Sequence, residues 1–521
     1  MTTPGTPPTT PWSPHEIVLT ADRDHPDPYA GVEAWATFTH ETGRELRRPA
    51  FWDGGRTWRV RFASPGLTGR WTWRSAASVE DPGLAGVTGA LDVAGEGAGV
   101  FGRHGFWRMS ERGRHLVHAD GTPAFLAADT AWAFPWRATP EQAETYAADR
   151  AAKGFNAVLL MSVQPDSGAR GPADRTADEG FAVAFEDLPD LTLRRLRPEY
   201  FAELDVLAAT LARHGIVPVW QPVFQGFGWK GLRTAGAQVP PGDYARYCRY
   251  LLARYGAAPA VWLVGADGRG DEPQVAAGGA EVHAWDAYAQ PTGVHYAPFG
   301  SNREHQDADW LDFQWCQTGH LGDHVPERVA DMARNRPAKA VANGEPSYEG
   351  TRRADFASGW WQGHEAWSNL CAGAAMGVVY GAGSLWQWKL HPEEAGQAPY
   401  FSAPGAGWRE ALDFEGSRYP GVLARVLHGL PFTDAVPDWT RTANPRNLLV
   451  PGVFLLSYLP DGGNLRVVAP ADVPRTYRAH DARTGEVVAR GVLPEDGIVP
   501  GPDGEPRVVV FCHDGAGSSG G

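Results

Sequence analysis

Between residues 106 and 427 the chain alternates short apolar runs with stretches whose apolar residues recur every three or four positions. That is the pattern of strands buried on both faces and separated by amphipathic helices. Eight runs qualify as strands: AFLAADTAW, FNAVLLMSVQ, IVPVWQPVF, AVWLVGADG, GVHYAPFG, LDFQWCQTGH, KAVANGEP and GVVYGAGSLWQW. Between them, Phe201, Leu204, Ala208 and Leu211 keep helical spacing, as do Tyr244, Tyr247, Cys248, Leu251 and Tyr255. Eight such units predict an α/β fold, a closed (β/α)8 TIM barrel over 99–427, in preference to an open doubly wound sheet. No GxGxxG phosphate fingerprint follows any of the runs.

A period of two governs both ends of the chain. In TWRVRF, Trp58, Val60 and Phe62 alternate with Arg59 and Arg61, and GRWTWR repeats the pattern with Trp71 and Trp73. This predicts a β-sandwich over 15–98, preceded by a Pro- and Thr-rich disordered segment at 1–14 and followed by a Gly-rich linker through 94–105. After residue 427, VFLLSYL, LRVVAP, RTYRAHD, EVVARGVL and RVVVFCHD are separated by DGG, TGE and PDGE turns. These predict a second β-sandwich over 428–514, with 515–521 as a flexible tail. Barrel and sandwiches together account for a 521-residue chain, which is longer than one ordinary domain.

Charge and composition narrow the partners. A formal net charge of -14 without any basic run argues against a nucleic-acid backbone as ligand. The N-terminus MTTPGTPPTTPWSP has no charged n-region or apolar h-region, and no stretch approaches 18 apolar residues, so the expectation is a cytoplasmic protein without a membrane partner. Cys248, Cys316, Cys371 and Cys512 lie far apart without CxxC spacing and read as buried free thiols. The 22 Trp, 21 Phe and 15 Tyr exceed what a core alone demands. Indole faces pack on sugar rings while the sugar hydroxyls bond at the edge, so a carbohydrate is the expected partner.

In a parallel barrel the active site lies at the C-terminal ends of the strands, which makes the polar residue ending each run the one to read. Those tips are Asp129, Gln164, Gln221, Asp267, Tyr296, His320, Glu345 and Gln387, with Trp132, Trp220, Trp386 and Trp388 beside them. The set is rich in carboxylates, amides and indoles; neither a clustered metal-ligand set nor a cofactor motif is prominent, so no metal and no cofactor are expected. Asp267 and Glu345, 78 residues apart, end the fourth and seventh runs and can face each other across the mouth. Two such carboxylates are what hydrolysis of a glycosidic bond needs. Each residue has a competing reading. Asp267 stands in a DG turn, ADGRGD; Glu345 suits a structural ion pair and has Glu349 as a neighbouring rival. Asp129 suits sugar hydroxyls or a loop cap, and His320 suits substrate, carboxylate or structure. In WQW, strand alternation would put Trp386 and Trp388 on one face as a sugar platform and Gln387 on the other. HEAWS at 364–368 lacks the second His of a zinc-protease motif.

The ordered succession HLVHADGTPAFLAADTAW, AADRAAKGFNAVLL, VWLVGADG, QTGH, NGEPSYEG and YGAGSLWQW resembles the apiosidase-like glycoside hydrolases, the group that includes glycoside hydrolase family 140. The resemblance covers most of 106–427. The segment FWDGGRTWRVRFASPGLTGRWTWRS resembles the sandwich that often precedes such barrels, and the DARTGE region is similar to a collagen-binding-type sandwich, a family label that does not establish collagen binding. The resemblance implies an Asp acid/base at Asp267 and a Glu nucleophile at Glu345. It also implies a retaining enzyme; the expected activity is exo-acting release of a terminal sugar, apiose or another pentofuranose, and the absent export signal, a departure from relatives that meet extracellular polysaccharide, points to a small imported glycoside or oligosaccharide. GAD stands at the fourth tip where relatives commonly show GGD, a change that bears on subsite shape. A catalytically inactive carbohydrate-binding barrel and a matrix-binding protein are the competing classes.

Overall fold

In the computed structural model of the chain, residues 9–513 are described apart from 166–180, 227–233, 299, 301, 303, 320–325, 352–356, 395–404 and 444–445. The eight apolar runs form parallel strands: β1 (Leu126–Thr130), β2 (Ala157–Met161), β3 (Val217–Gln221), β4 (Val261–Leu263), β5 (Thr292–His295), β6 (Phe313–Gln317), β7 (Ala340–Glu345) and β8 (Gly377–Gly381). Each pairs with the next, and β8 pairs with β1 to close the barrel. Every residue of these strands is buried, which is why they lack the polar alternation of a half-exposed sheet. Around them lie α1 (Pro140–Ala152), α2 (Pro198–Arg213), α3 (Pro241–Tyr255), α4 (Pro273–Trp285), α5 (Pro326–Ala333), α6 (Trp360–Cys371) and α7 (Tyr419–Leu427). Thr139 opens α1 with a capping box that engages Gln142. The spacing of Phe201, Leu204 and Leu211 places all three on the buried face of α2.

The last run ends sooner than its apolar character suggests. After Gly381 the chain turns into a short helix, Gly383–Trp386, and Trp388 adopts a left-handed backbone (φ 48°). WQW is therefore not a strand, and its indoles do not share a face.

The N-terminal sheets face each other: one orders His15–Thr20, Thr57–Phe62, Phe51–Trp52, the other Glu45–Pro49, Ala34–His40, Gly69–Ala77, Thr88–Val93. Trp58, Val60 and Phe62 enter the shared core, where Phe62 stacks on Phe38 at 4.1 Å. The arginines of the same strand meet the barrel as well as solvent. Arg61 pairs with Asp205 of α2 at 2.6 Å and donates to the Arg254 carbonyl of α3 at 2.7 Å, while Arg254 spans Asp205 and Asp53, each at 2.9 Å. The polar half of the alternation thus docks the sandwich.

Residues 9–14, expected as part of an unordered tail, are instead ordered. The Trp12 N–H donates to Ser64, its ring packs on Phe106 at 4.9 Å, and Thr9 bridges to Val93. The expected linker likewise holds a short helix, Gly99–His104. At the other end, a six-stranded sheet places one face on the barrel helices, with Phe454, Leu456, Tyr458 and Val508 against Trp367, Leu370 and Val422. Its other face covers a two-stranded sheet. All four cysteines are buried and unbonded. Among the described residues no helix is long and apolar enough to cross a membrane.

Candidate active site

Asp267 sits where β4 has lost regular strand geometry but still follows β5. The His295 N–H donates to Gly265 and the Asp267 N–H to His295, so the chain is held to its neighbour up to the carboxylate. The backbone at Asp267 is left-handed (φ 57°), a conformation that Asp tolerates better than most residues. The turn itself is closed by another residue. Glu272 accepts the N–H groups of Arg269 and Gly270, both at 2.8 Å. The capping work expected of an Asp in a DG turn falls to Glu272, and the buried Asp267 carboxyl faces the mouth.

Glu345 is the last residue of β7 and lies beside Gln317 of β6, where the register shifts by one residue. The Thr318 N–H donates to the Glu345 carbonyl at 3.1 Å. The preceding Gly344 is required by close approach: a Cβ there would stand 1.8 Å from the indole nitrogen of Trp315. From α6, Glu365 accepts the Thr318 hydroxyl at 3.0 Å and the Ser347 N–H at 3.2 Å, clamping the segments that flank Glu345. Burial pushes the Glu365 carboxyl up to about 7 against the pull of those donors. The Tyr348 hydroxyl is pushed well above its ordinary value, first by burial and then by the charge of Glu345.

Beside the two carboxylates lies His295, the end of β5. Its Nε2 is 2.9 Å from Glu345 Oε2 and its Nδ1 is 2.8 Å from Gln221 Oε1. One donor atom from each of Asp267, His295 and Glu345 falls within 4.8 Å of the others, and this is the one such cluster among the described residues. Two ligands of one tetrahedral zinc ion at 2.0–2.1 Å would stand roughly 3.3 Å apart. The 2.9 Å His–Glu contact is closer than that, though the ring nitrogen and the carboxylate oxygen are not aligned as a hydrogen bond.

Trp132, Trp386 and Gln387 line a recess at the mouth together with Trp136, Arg137 and Pro165. Trp132 meets Trp386 edge-on at 5.8 Å and His295 edge-on at 6.2 Å. Gln164 is buried just after β2 and donates to the Ala182 carbonyl. His320 lies outside the described residues.

Four expected contacts point elsewhere. Asp129 lies on the outer face of β1, where Arg150 Nε approaches at 3.0 Å and the Tyr146 hydroxyl donates at 2.9 Å, both from α1. Trp220, also facing outward, stacks on Tyr255 of α3 at 4.4 Å. Trp388 stacks on Trp408 at 4.9 Å and donates to Gln142. Glu349 is occupied by the Gly359 and Gly416 N–H groups and the Tyr380 hydroxyl. Side-chain alternation explains Asp129 and Trp220: one residue along a strand reverses the face, so Trp220 and Gln221 cannot both enter the mouth. The same one-residue rule hid His295, because Tyr296 reads as the fifth tip. A usable signal was present, since His295 is the ionisable residue within the apolar run GVHY.

A closed barrel with two carboxylates converging at the ends of its fourth and seventh strands defines the class: a glycosidase. A profile of the apiosidase-like catalytic domain matches residues 110–434, and the chain belongs to that family. Residues 8–78 match a domain family of unknown function, DUF5060. Among solved structures, a glycoside hydrolase family 5 protein from Bacteroides vulgatus ATCC 8482 is 21% identical, covering 78% of this chain and 94% of its own, with a TM-score of 0.63. A candidate glycoside hydrolase from the same organism is 17% identical over 97% of this chain and 99% of its own, with a TM-score of 0.69. At these identities the likeness speaks for the fold. No curated protein matches the chain.

Proposed function

We propose that the protein is a retaining, exo-acting glycosidase that releases a terminal sugar, apiose or another pentofuranose, from a small glycoside or oligosaccharide. The observation that carries this reading is the approach of Asp267 and Glu345 oxygens to within 4.8 Å of each other. Retaining enzymes hold their carboxyl groups about 5–5.5 Å apart, whereas inverting enzymes leave roughly 6.5–9.5 Å for a water. Asp267 protonates the leaving oxygen as Glu345 attacks the anomeric carbon, giving a glycosyl ester on Glu345. Water then attacks that ester, Asp267 takes its proton, and the sugar leaves with its configuration retained. The Trp132 indole, which lies edge-on to both His295 and Trp386, supports a sugar partner, because indoles beside the carboxylates suit packing against a sugar ring.

A panel of aryl apiosides, arabinofuranosides, xylosides, rhamnosides and fructosides tests the sugar. NMR of the first-formed product tests the stereochemistry, and initial appearance of the inverted anomer would recast Glu345 as a base. Glu345→Gln and Asp267→Asn are each expected to lower turnover by at least about a hundredfold with the fold intact. Asp267→Asn should spare activated aryl leaving groups more than natural ones; equal losses on both would remove the acid role.

A further inference from the structure

Resting on that reading, we propose that Gln317 is a substrate-binding residue whose amide oxygen accepts the hydroxyl on the sugar carbon next to the anomeric carbon, so that the site selects sugars carrying that hydroxyl. Gln317 ends β6, and the alternation of the strand sets its direction. Gln314 turns outward, where its amide donates to the Met332 carbonyl of α5 at 3.2 Å. Trp315 and Gln317, one and three places on, therefore turn inward. The Trp315 indole accordingly lies against Gly344 of β7. A bulge brings Glu345 to the same side. Cys316 pairs with Asn343 and Gln317 with Glu345, so β7 carries one extra residue, Gly344, and the side chain after it is re-aimed toward the mouth. Neighbouring strands lie about 4.8 Å apart, and Gln and Glu side chains are equal in length, so the amide stands beside the nucleophile at the same height.

Gln317 is 4% exposed, and its Oε1 has no hydrogen-bond partner among the described residues. The other amides at the mouth are engaged by the protein: Gln221 Oε1 faces His295 Nδ1, and Gln164 donates to the Ala182 carbonyl. An unpaired buried amide oxygen destabilises the fold, and a leucine would fill the same place without that cost. A polar group kept there against stability has its partner outside the chain.

The chemistry selects which part of the sugar that partner is. With Glu345 bonded to the anomeric carbon, the ring atoms next to that carbon are the ring oxygen and a carbon bearing a hydroxyl. The ring oxygen only accepts, and would meet Oε1 lone pair to lone pair; the hydroxyl donates. As the anomeric carbon gains positive charge in the oxocarbenium-like transition state, that hydroxyl becomes a better donor, so its bond to Oε1 strengthens where it lowers the barrier. A sugar lacking the hydroxyl leaves the amide unpaired in a closed site, and a polar contact discriminates more sharply than an apolar one for that reason.

A double-mutant cycle on the full chain tests the proposal. The 4-nitrophenyl glycoside that the wild type turns over is compared with its counterpart lacking the neighbouring hydroxyl, with wild type and with Gln317→Leu. The ratio of kcat/KM for the two substrates should fall at least about tenfold in the variant, because leucine against a deoxy carbon leaves neither side unpaired. Comparing ratios cancels the difference in intrinsic reactivity between the substrates. An equal ratio in the two proteins overturns the proposal. Gln317→Leu should also hold its Tm within about 3 °C of wild type or above it, since no bond within the protein is lost. A larger fall would show that the protein itself holds the amide, and overturns the proposal as well. Gln317→Met, which keeps the unbranched shape, repeats both measurements, and the more stable of the two variants decides. Failure of the whole glycoside panel with wild type would strike the glycosidase reading and this assignment with it, whereas an active enzyme with an unchanged ratio strikes Gln317 alone.

Discussion

Asp129 offers the sharpest separation of scaffold from site, because it ends a barrel strand and yet faces away from the mouth. Its carboxylate and the Arg150 guanidinium are both 0% exposed, with Nε 3.0 Å from Oδ2, and the Tyr146 hydroxyl and Thr130 N–H complete its shell at 2.9 and 2.8 Å. Asp129→Ala would leave a buried arginine whose other carboxylate, Asp149, stands farther off at 3.5 Å. Removing one partner of a buried pair costs about 3–5 kcal/mol. In a domain of this size each kcal/mol lowers Tm by roughly 2 °C, so the expected fall is about 6–10 °C. Replacing both partners, Asp129→Leu with Arg150→Met, should recover much of the loss, because the uncompensated charge is gone. Calorimetry gives the stability, and kcat/KM at a temperature where all variants are folded gives the function, which should stay within about threefold of wild type. An Asp129→Asn protein that kept its Tm and lost activity would refute this, returning Asp129 to the substrate.

Two further perturbations follow from buried charge. Glu365 titrates at about 7 when folded against an ordinary 4.5, so the native state holds a proton that the unfolded chain releases first. The stability this contributes is complete below the ordinary value and is lost as pH rises through about 7, in all about 3 kcal/mol. Glu365→Gln removes that dependence, so urea midpoints of wild type and variant should diverge as pH is raised from 5 to 8, the wild type falling; parallel midpoints would exclude it. Arg254 holds Asp53 of the N-terminal sandwich and Asp205 of the barrel together, so Arg254→Met should cost about 3–5 kcal/mol and split off a separate calorimetric transition for the sandwich. A single unshifted transition would show that the network couples nothing.

The sequence by itself determined the architecture, because burial on both faces leaves a mark on composition. Eight runs lacking polar alternation became the eight strands, and Asp267 and Glu345 were legible as the polar residues that close the fourth and seventh. TWRVRF and RVVVFC gave up their strands through alternation or apolar content alone. Only the tertiary structure decided which tip residues look into the mouth. A strand's face reverses with each residue, and the point where β1, β3, β5 and β8 stop is set by pairing with neighbours and not by local preference. So Asp129 and Trp220 turned outward, Trp388 was taken into the core against Trp408, and His295 came to stand between Gln221 and Glu345 across 74 residues of chain on one side. Glu272 likewise took the turn that would otherwise have claimed Asp267, through bonds to Arg269 and Gly270. Composition and periodicity record how much of a segment is buried; a site depends on which atoms distant segments bring within a few ångströms, and that is fixed only when the barrel closes.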